Sequence, residues 1–175
     1  MKRIIIIGAG GHGKVMADLV SMLHEYTLIG FADSSLETGT SVIGNANVLC
    51  KPEEVNAQVA DYFIVAVGNN DIREKIFNNL KSKLKPAVLV HPSASVSQHA
   101  TIAPGTMVCA NAVVSVGAKV GENNILNVSS VVDHGTVIGN HCHIRQGTII
   151  AGNCTIPDKT TTALGELIDS PYYKK

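Results

Sequence analysis

Every sixth residue from position 90 to position 156 is aliphatic: Val90, Val96, Ile102, Val108, Val114, Val120, Leu126, Val132, Ile138, Ile144, Ile150 and Ile156. From Val96 onward the residue two places before each of them is small: Ala94, Ala100, Thr106, Ala112, Ala118, Asn124, Ser130, Thr136, Cys142, Thr148 and Cys154. A helix repeats every ~3.6 residues and a half-buried strand every ~2. A period of six predicts a parallel β-helix, in which each hexapeptide builds one face of a coil. The aliphatic side chain points inward and stacks on its copies above and below. The small residue sits by the corner, where a larger one would clash. Three hexapeptides close a triangular coil, so residues 90–160 are expected to form about four coils, each burying its aliphatics only against its neighbours. Pro157 and a polar run follow Ile156, and the repeat is expected to stop there.

The first half has a different rhythm. Residues 3–9, RIIIIGA, read as a strand buried on both faces. Gly8, Gly10 and Gly13 follow in G-x-G-x-x-G spacing, and residues 13–24 carry a helical stripe of Val15, Leu19, Met22 and Leu23. A strand before and a helix after are the context in which glycines let a phosphate approach a helix N-terminus. A second strand, TLIGFAD, ends in Asp33, and a third, DYFIVAVG, ends in Gly68, followed by Asn69 and Asn70. Asp71 and Glu74 are placed as a capping box for a helix with Ile72, Ile76 and Leu80 on one face. This β-α-β unit is half the size of a full dinucleotide-binding fold. Three readings of the glycine loop stay open: a turn that only packs helix on strand, an NAD site with Asp33 on the ribose, and a site for the phosphates of a nucleotide-sugar.

Composition removes several classes of function. Lys+Arg and Asp+Glu are 14 each, so there is no basic field for nucleic acid, and 4% aromatics with no Trp leave no platform for stacked bases. The N-terminal apolar run is too short for a signal peptide, and no stretch reaches the ~20 apolar residues of a membrane span. A cytoplasmic location is expected. Cys50, Cys109, Cys142 and Cys154 contain no C-x-x-C and match no zinc spacing, so they read as reduced, small apolar filler, with no metal.

The segments GAGGHGKV, AVGNNDIREKI, HPSASVS and NVSSVVDHGTVIGNHCHI, in this order from about residue 3 to 156, resemble the PglD/NeuD-type sugar O-/N-acetyltransferases, hexapeptide acyltransferases with a left-handed β-helix. AVGNN and VVDH are the most specific, and they look closest to the UDP-4-amino-sugar (bacillosamine-type) N-acetyltransferases. The resemblance implies an α/β, Rossmann-like nucleotide-sugar domain at 1–88, an all-β left-handed parallel β-helix at 89–160 and a C-terminal tail at 161–175. It implies transfer of acetyl from acetyl-CoA to the amino group of a UDP-linked amino-deoxy sugar. Gly10, Gly11, His12 and Gly13 would lie at the phosphates, with Asp33, Gly68, Asn69 and Asn70 along the nucleotide. His134 corresponds to the catalytic base, with Asp133 beside it. His143 would lie near the acetyl group, and the Gly152 N–H would face the thioester oxygen. The family's enzymes are homotrimers with CoA between adjacent β-helices.

The chemistry suits these residue types. An amine attacking a thioester must shed a proton, and imidazole titrates near neutrality. The thioester oxygen becomes negative, and a fixed N–H stabilises it. Among the other histidines, His24, His91 and His99 read as structural or solvated, and His141 as exposed. The chain departs from the family where an acidic residue usually follows the catalytic histidine, since Gly135 stands there. The short repeat is a second departure. Two alternatives follow: O-acetylation of sialic acid or a related sugar, and a degenerate, non-catalytic nucleotide-sugar-binding protein.

Overall fold

A computed structural model describes residues 1–171, and the chain divides into two compact units, Met1–Ala87 and Val88 onward. The first unit is built on the strands β1 (Lys2–Ile7), β2 (Tyr26–Ala32), β3 (Ser41–Ile43), β4 (Ala46–Cys50), β5 (Tyr62–Val65) and β6 (Lys85–Pro86), with helices α1 (Gly11–Ser21) and α2 (Asn70–Leu80). The sheet order is β3-β4-β2-β1-β5-β6, parallel except for the β3–β4 pair. The four isoleucines of β1 are fully buried because the strand is central. The chain winds outward from β1 through β2 and then returns to β5 on the other side. A topological switch point therefore lies at the C-terminal ends of β1 and β5, where open α/β sheets bind ligands.

Both helices bury only part of the apolar stripe their spacing predicted: Leu19 and Leu80 are inside, but the buried face is rotated away from the rest. In α1 the buried residues are Gly13, Met16, Ala17, Leu19 and Val20, while Val15 and Met22 are exposed. In α2 the buried ridge is Asn70, Arg73, Phe77 and Leu80, and Ile72 is outside. The capping box also moves. Asn69, not Asp71, caps α2, its side-chain oxygen accepting from the Ile72 N–H at 3.0 Å. Capping by Asn69 starts the helix two residues earlier.

The second unit is a left-handed parallel β-helix of two-residue strands in three walls. The first wall stacks Leu89–Val90, Met107–Val108, Ile125–Leu126 and His143–Ile144. The second stacks Ser95–Val96, Val113–Val114, Val131–Val132, Ile149–Ile150 and Leu167–Ile168. The third stacks Thr101–Ile102, Lys119–Val120, Val137–Ile138 and Thr155–Ile156. Partners lie eighteen residues apart, as in Val114 with Val132. The interior column is one continuous cluster from Val108 to Ile168, with Val90, Val96 and Ile102 packed against it. Every sixth residue from Gly105 to Gly165 takes the left-handed conformation, with φ between 56° and 80°. This corner lies immediately before the small residue. Polar members of the small column use their position: the Thr106 hydroxyl donates to the Gly121 carbonyl at 2.9 Å, and the Thr136 hydroxyl to that of Ala151 at 2.9 Å.

The winding does not stop at Ile156. Thr162 keeps the interior position and is buried, His143 bridges Thr161, and Leu167–Ile168 joins the second wall. Residues 161–171 therefore coil on where a tail was expected, because Thr162 fills the inward site as a buried hydroxyl that meets the Thr148 hydroxyl at 2.8 Å. Residues 172–175 of that expected tail lie outside the described residues.

Candidate active site

The first unit brings three loops to one edge of its sheet. Ile7 is level with Ala32 on one side and Val65 on the other, so Gly8, Asp33 and Ala66 emerge together. The glycine loop turns at once into α1. A Cβ on Gly13 would lie 2.0 Å from the Gly8 carbonyl oxygen, so only glycine lets the helix approach the strand end this closely. No side chain caps α1 at Gly10, and a Cβ on Gly10 or Gly11 would meet nothing within 4 Å. The approach to the helix N-terminus, with its positive dipole end, is open. His12 is half-buried on the first turn.

Asp33 ties the edge together. Its carboxylate accepts from the Ala9 N–H at 2.8 Å through Oδ2, and from the Ser35 and Leu36 N–H groups at 2.8 and 3.0 Å through Oδ1. Partial burial alone would raise the carboxyl. The three backbone donors and nearby Lys51 outweigh that and hold it below the usual carboxylate range. Across the edge, Gly68 and Asn69 are exposed while Asn70 is buried. The loop is held from beneath by Arg73, a fully buried cation that the sequence reading passed over. Its guanidinium donates to the Val67 carbonyl at 3.0 Å and to Asn70 Oδ1 at 2.7 Å. Both asparagine oxygens are thus engaged within the loop and α2.

Beside this edge is a cleft of about 590 Å³ whose lining includes Ser34, Pro52, Glu53, Ile72 and Lys75. Ser34 directly follows Asp33. A larger cleft, about 760 Å³, is lined by Lys2, Tyr62 and Lys85, at the opposite ends of the strands, away from the glycine loop. Size therefore does not mark the site here.

In the second unit, His134 is on the corner between the second and third walls, with its side chain 57% exposed. Asp133 reaches it. Asp133 Oδ1 accepts from the His134 backbone N–H at 2.7 Å and lies 3.2 Å from ring Nδ1. The hydrogen bond from the His134 backbone N–H, with the ring beside it, holds the Asp133 carboxyl below its ordinary value. A proton on Nδ1 satisfies the contact and leaves the Nε2 lone pair as the basic site. One coil on, Gly152 meets the face of the ring: a Cβ there would sit 2.3 Å from Cε1 and 2.7 Å from Nδ1 and Nε2. Gly135 follows with φ +65°, and a Cβ on it would lie 2.4 Å from Asn153 Oδ1.

His143 is elsewhere. It is half-buried on the first wall, with Nε2 3.1 Å from the Asn127 amide nitrogen. Asp133, His134 and Gly152 thus form one cluster, and His143 is on another wall of the same prism. His141, expected exposed, is buried, because its left-handed corner lays the ring against Asn123, 2.9 Å from the amide nitrogen. His91 is structural, its Nδ1 accepting from the Ser93 N–H at 3.0 Å. Among the described residues no group of three or more His, Cys, Asp or Glu side chains is placed to hold a metal, and no helix is long and apolar enough to cross a membrane.

Comparison with known proteins agrees with this architecture. The PglD N-terminal domain family matches residues 3–80. The chain is 34% identical over 107 residues to the UDP-N-acetylbacillosamine N-acetyltransferase of Bacillus subtilis (strain 168), a match covering 58% of this chain and 49% of that protein. The match thus spans about half the length of that curated relative. The acetyltransferase domain of PglB from Neisseria gonorrhoeae FA1090 is 34% identical, with a TM-score of 0.87 over 95% of this chain and 82% of that one. The same domain has been solved in complex with acetyl coenzyme A, with a TM-score of 0.86, 34% identity and coverage of 95% and 81%. WeeI from Acinetobacter baumannii AYE shares the fold, with a TM-score of 0.82 at 23% identity over 94% of this chain and 79% of that one.

Proposed function

Since the chain belongs to the PglD-type family of sugar acetyltransferases, we propose that it transfers an acetyl group from acetyl-CoA to the amino group of a UDP-linked amino-deoxy sugar. The observation that carries this reading is the exposed His134 imidazole, whose Nδ1 lies 3.2 Å from Asp133 Oδ1. The acceptor amine attacks the thioester carbonyl, Nε2 takes the proton the amine sheds, and CoA departs as the thiol. The Gly152 N–H is the proposed donor to the developing oxyanion. No covalent enzyme intermediate is needed, and much of the acceleration comes from holding two substrates in line.

The nucleotide-sugar binds the sheet edge of the first unit in this proposal. Its phosphates approach Gly10, Gly11, His12 and Gly13 at the start of α1. Asp33, Gly68, Asn69 and Asn70 shape the wall along the nucleotide, and the 590 Å³ cleft is the space for the base.

A homotrimer is part of the proposal. Val113, Val131, Ile149 and Leu167 form an outward aliphatic ladder along the second wall, and Leu167 is 67% exposed. Val116 and Val128, both exposed, flank it. Covering this ladder with another copy brings a partner's wall to the corner that holds His134. It also supplies a way for His143, on a different wall, to serve the same acetyl group from a neighbouring subunit. A cytoplasmic location is part of the proposal.

The test uses purified protein, acetyl-CoA and a panel of UDP- and GDP-linked amino sugars, with free CoA detected by a thiol reagent. Acceptor-dependent CoA release that falls by about 10²–10⁴ in His134→Ala is the expected result. Tight sugar binding with no turnover at any enzyme concentration would overturn the reading in favour of a non-catalytic binder. Release with hydroxyl acceptors alone would move it to O-acetylation.

A further inference from the structure

We infer that Arg73 is a positioning residue of the nucleotide-sugar site, holding the loop at residues 67–70 from beneath without touching the ligand. The inference rests on the proposed binding of the nucleotide-sugar at this sheet edge and adds a residue to that site.

The loop is a short crossing from strand to helix. On its strand side the Ala66 N–H donates to the Ile7 carbonyl at 2.8 Å, and on its helix side the Arg73 N–H donates to the Asn69 carbonyl at 2.9 Å. From that first turn of α2 the Arg73 side chain reaches back across the segment between. Nη1 donates to the Val67 carbonyl at 3.0 Å and to the Gly68 carbonyl at 3.4 Å, and Nη2 donates to Asn70 Oδ1 at 2.7 Å. One planar fork thus spans Val67, Gly68 and Asn70, and its rigidity sets these acceptors relative to one another. It also sets the peptide planes. In a trans peptide the N–H points opposite to the C=O, so carbonyls turned toward Arg73 turn the Gly68 and Asn69 N–H groups away from it. Gly68 and Asn69 are exposed, while Arg73 is fully buried. A ligand at the edge meets the loop, and the guanidinium acts on the loop from its other side.

The glycine loop lies against the same segment. A Cβ on Gly8 would lie 3.0 Å from the Ala66 carbonyl oxygen and 3.2 Å from Val67 Cγ2. A shift of Val67 would therefore alter the wall beside which the chain turns into α1. Apolar packing does not call for a cation here. Phe77 and Leu80 share the buried ridge with Arg73, so an aliphatic residue suits the surroundings, and a buried guanidinium is costly to desolvate. What the guanidinium adds is a hold on the loop. A loop already in its binding shape loses less freedom when a ligand orders it. The consequence falls on affinity for the nucleotide and not on the chemistry at His134.

The test titrates the chain with UDP, with GDP and with CoA, by calorimetry and by backbone amide spectra, in wild type, Arg73→Met and Arg73→Lys. In wild type a nucleotide should shift the amides of residues 10–13 and of Gly68 and Asn69. Arg73→Met should weaken nucleotide binding roughly tenfold, since several hydrogen bonds to one charged group are lost, and should leave CoA binding unchanged. In turnover, KM for the nucleotide-sugar should rise by a similar factor, with kcat and KM for acetyl-CoA unchanged. Arg73→Lys keeps the charge without the fork and should fall between the two. Wild-type nucleotide affinity in Arg73→Met overturns the inference. So does an equal loss of CoA affinity, which would mark Arg73 as a general support of the fold. Should Arg73→Met fail to fold, Arg73→Lys carries the comparison, and wild-type affinity there overturns the inference as well. A wild-type edge whose amides respond to neither nucleotide would reject the nucleotide site and the inference with it, whereas an edge that responds alike in every variant rejects the inference alone.

Discussion

The imidazole of His134 occupies the space in which a side chain at Gly152 would begin. The two residues are eighteen apart, one full coil, and the Asn153 N–H donates to the His134 carbonyl at 2.8 Å. The ladder thus brings the ring against the next coil, and the absence of a Cβ at 152 lets it settle there. Among the glycines of the β-helix this one is kept by a neighbour's ring and not by its own dihedral angle.

Gly152→Ala should therefore displace the ring without unfolding the prism. The added methyl group meets three ring atoms at less than van der Waals distance, and an exposed imidazole moves more readily than a backbone. A shift of ~1 Å at a catalytic group can cost about a hundredfold in rate. We expect such a loss in kcat with the melting temperature nearly unchanged. A crystal structure of the variant, or the chemical shifts of the His134 ring, would show the displacement. Full activity in Gly152→Ala would mean that the ring does not use this seat.

Gly135 invites the reverse experiment, installing an acidic residue after the histidine. Its φ of +65° is the left-handed corner, where a side chain costs about 1–2 kcal/mol outside Asn and Asp. The Asn153 side chain already fills the space a Cβ would take. Gly135→Glu is expected to lower stability by about that amount in urea unfolding and to leave kcat no higher. Asn153→Gly in the Gly135→Glu background should recover part of the loss, since removing the clash makes the two changes non-additive. Simple additivity of the two changes would show that the contact carries no energy.

The β-helix was legible in the sequence because one environment recurs. Every inward position faces the same interior, so the same residue class returns with fixed period. The pattern misled only where the class changed without the environment changing. Thr162 is polar yet inward, so the period looked broken six residues before Ile168 resumed it. The helices of the first unit are single copies, with no repeat to average over. In α2 the apolar Ile72 lies outside and Arg73 lies inside, because the guanidinium serves carbonyls of the loop above it. A buried arginine runs against residue-type preferences, and hydropathy cannot anticipate it. His134 and Gly152 were picked out by resemblance to a motif. Their contact, and the reach of Asp133 to the ring, follow from the eighteen-residue stacking and needed coordinates. His141 shows the same limit from the other side, since a corner conformation and not hydropathy buried it.

Asp33 gives a prediction with a defined pH dependence. In the folded chain its carboxyl is held below the usual range by the Ala9, Ser35 and Leu36 amides and Lys51, which overcome its partial burial. A depressed folded value means that the unfolded chain binds the proton more readily. The stabilisation is then complete above the unfolded carboxylate value of about 4, and it disappears as pH falls through the folded value. The melting temperature of wild type should exceed that of Asp33→Asn by a constant margin between about pH 6 and 8, and the margin should close below about pH 4. Hydrogen exchange at Ala9 locates the effect. Its amide donates to Oδ2, so its protection relative to the intrinsic exchange rate should fall in Asp33→Asn at neutral pH, and in wild type on acidification. A margin that persists unchanged to pH ~3 would place the effect of the substitution outside the ionised carboxylate. An Ala9 amide equally protected in both proteins would mean that Asp33 does not hold the glycine loop. Its place at the sheet edge would then matter for ligand contact alone.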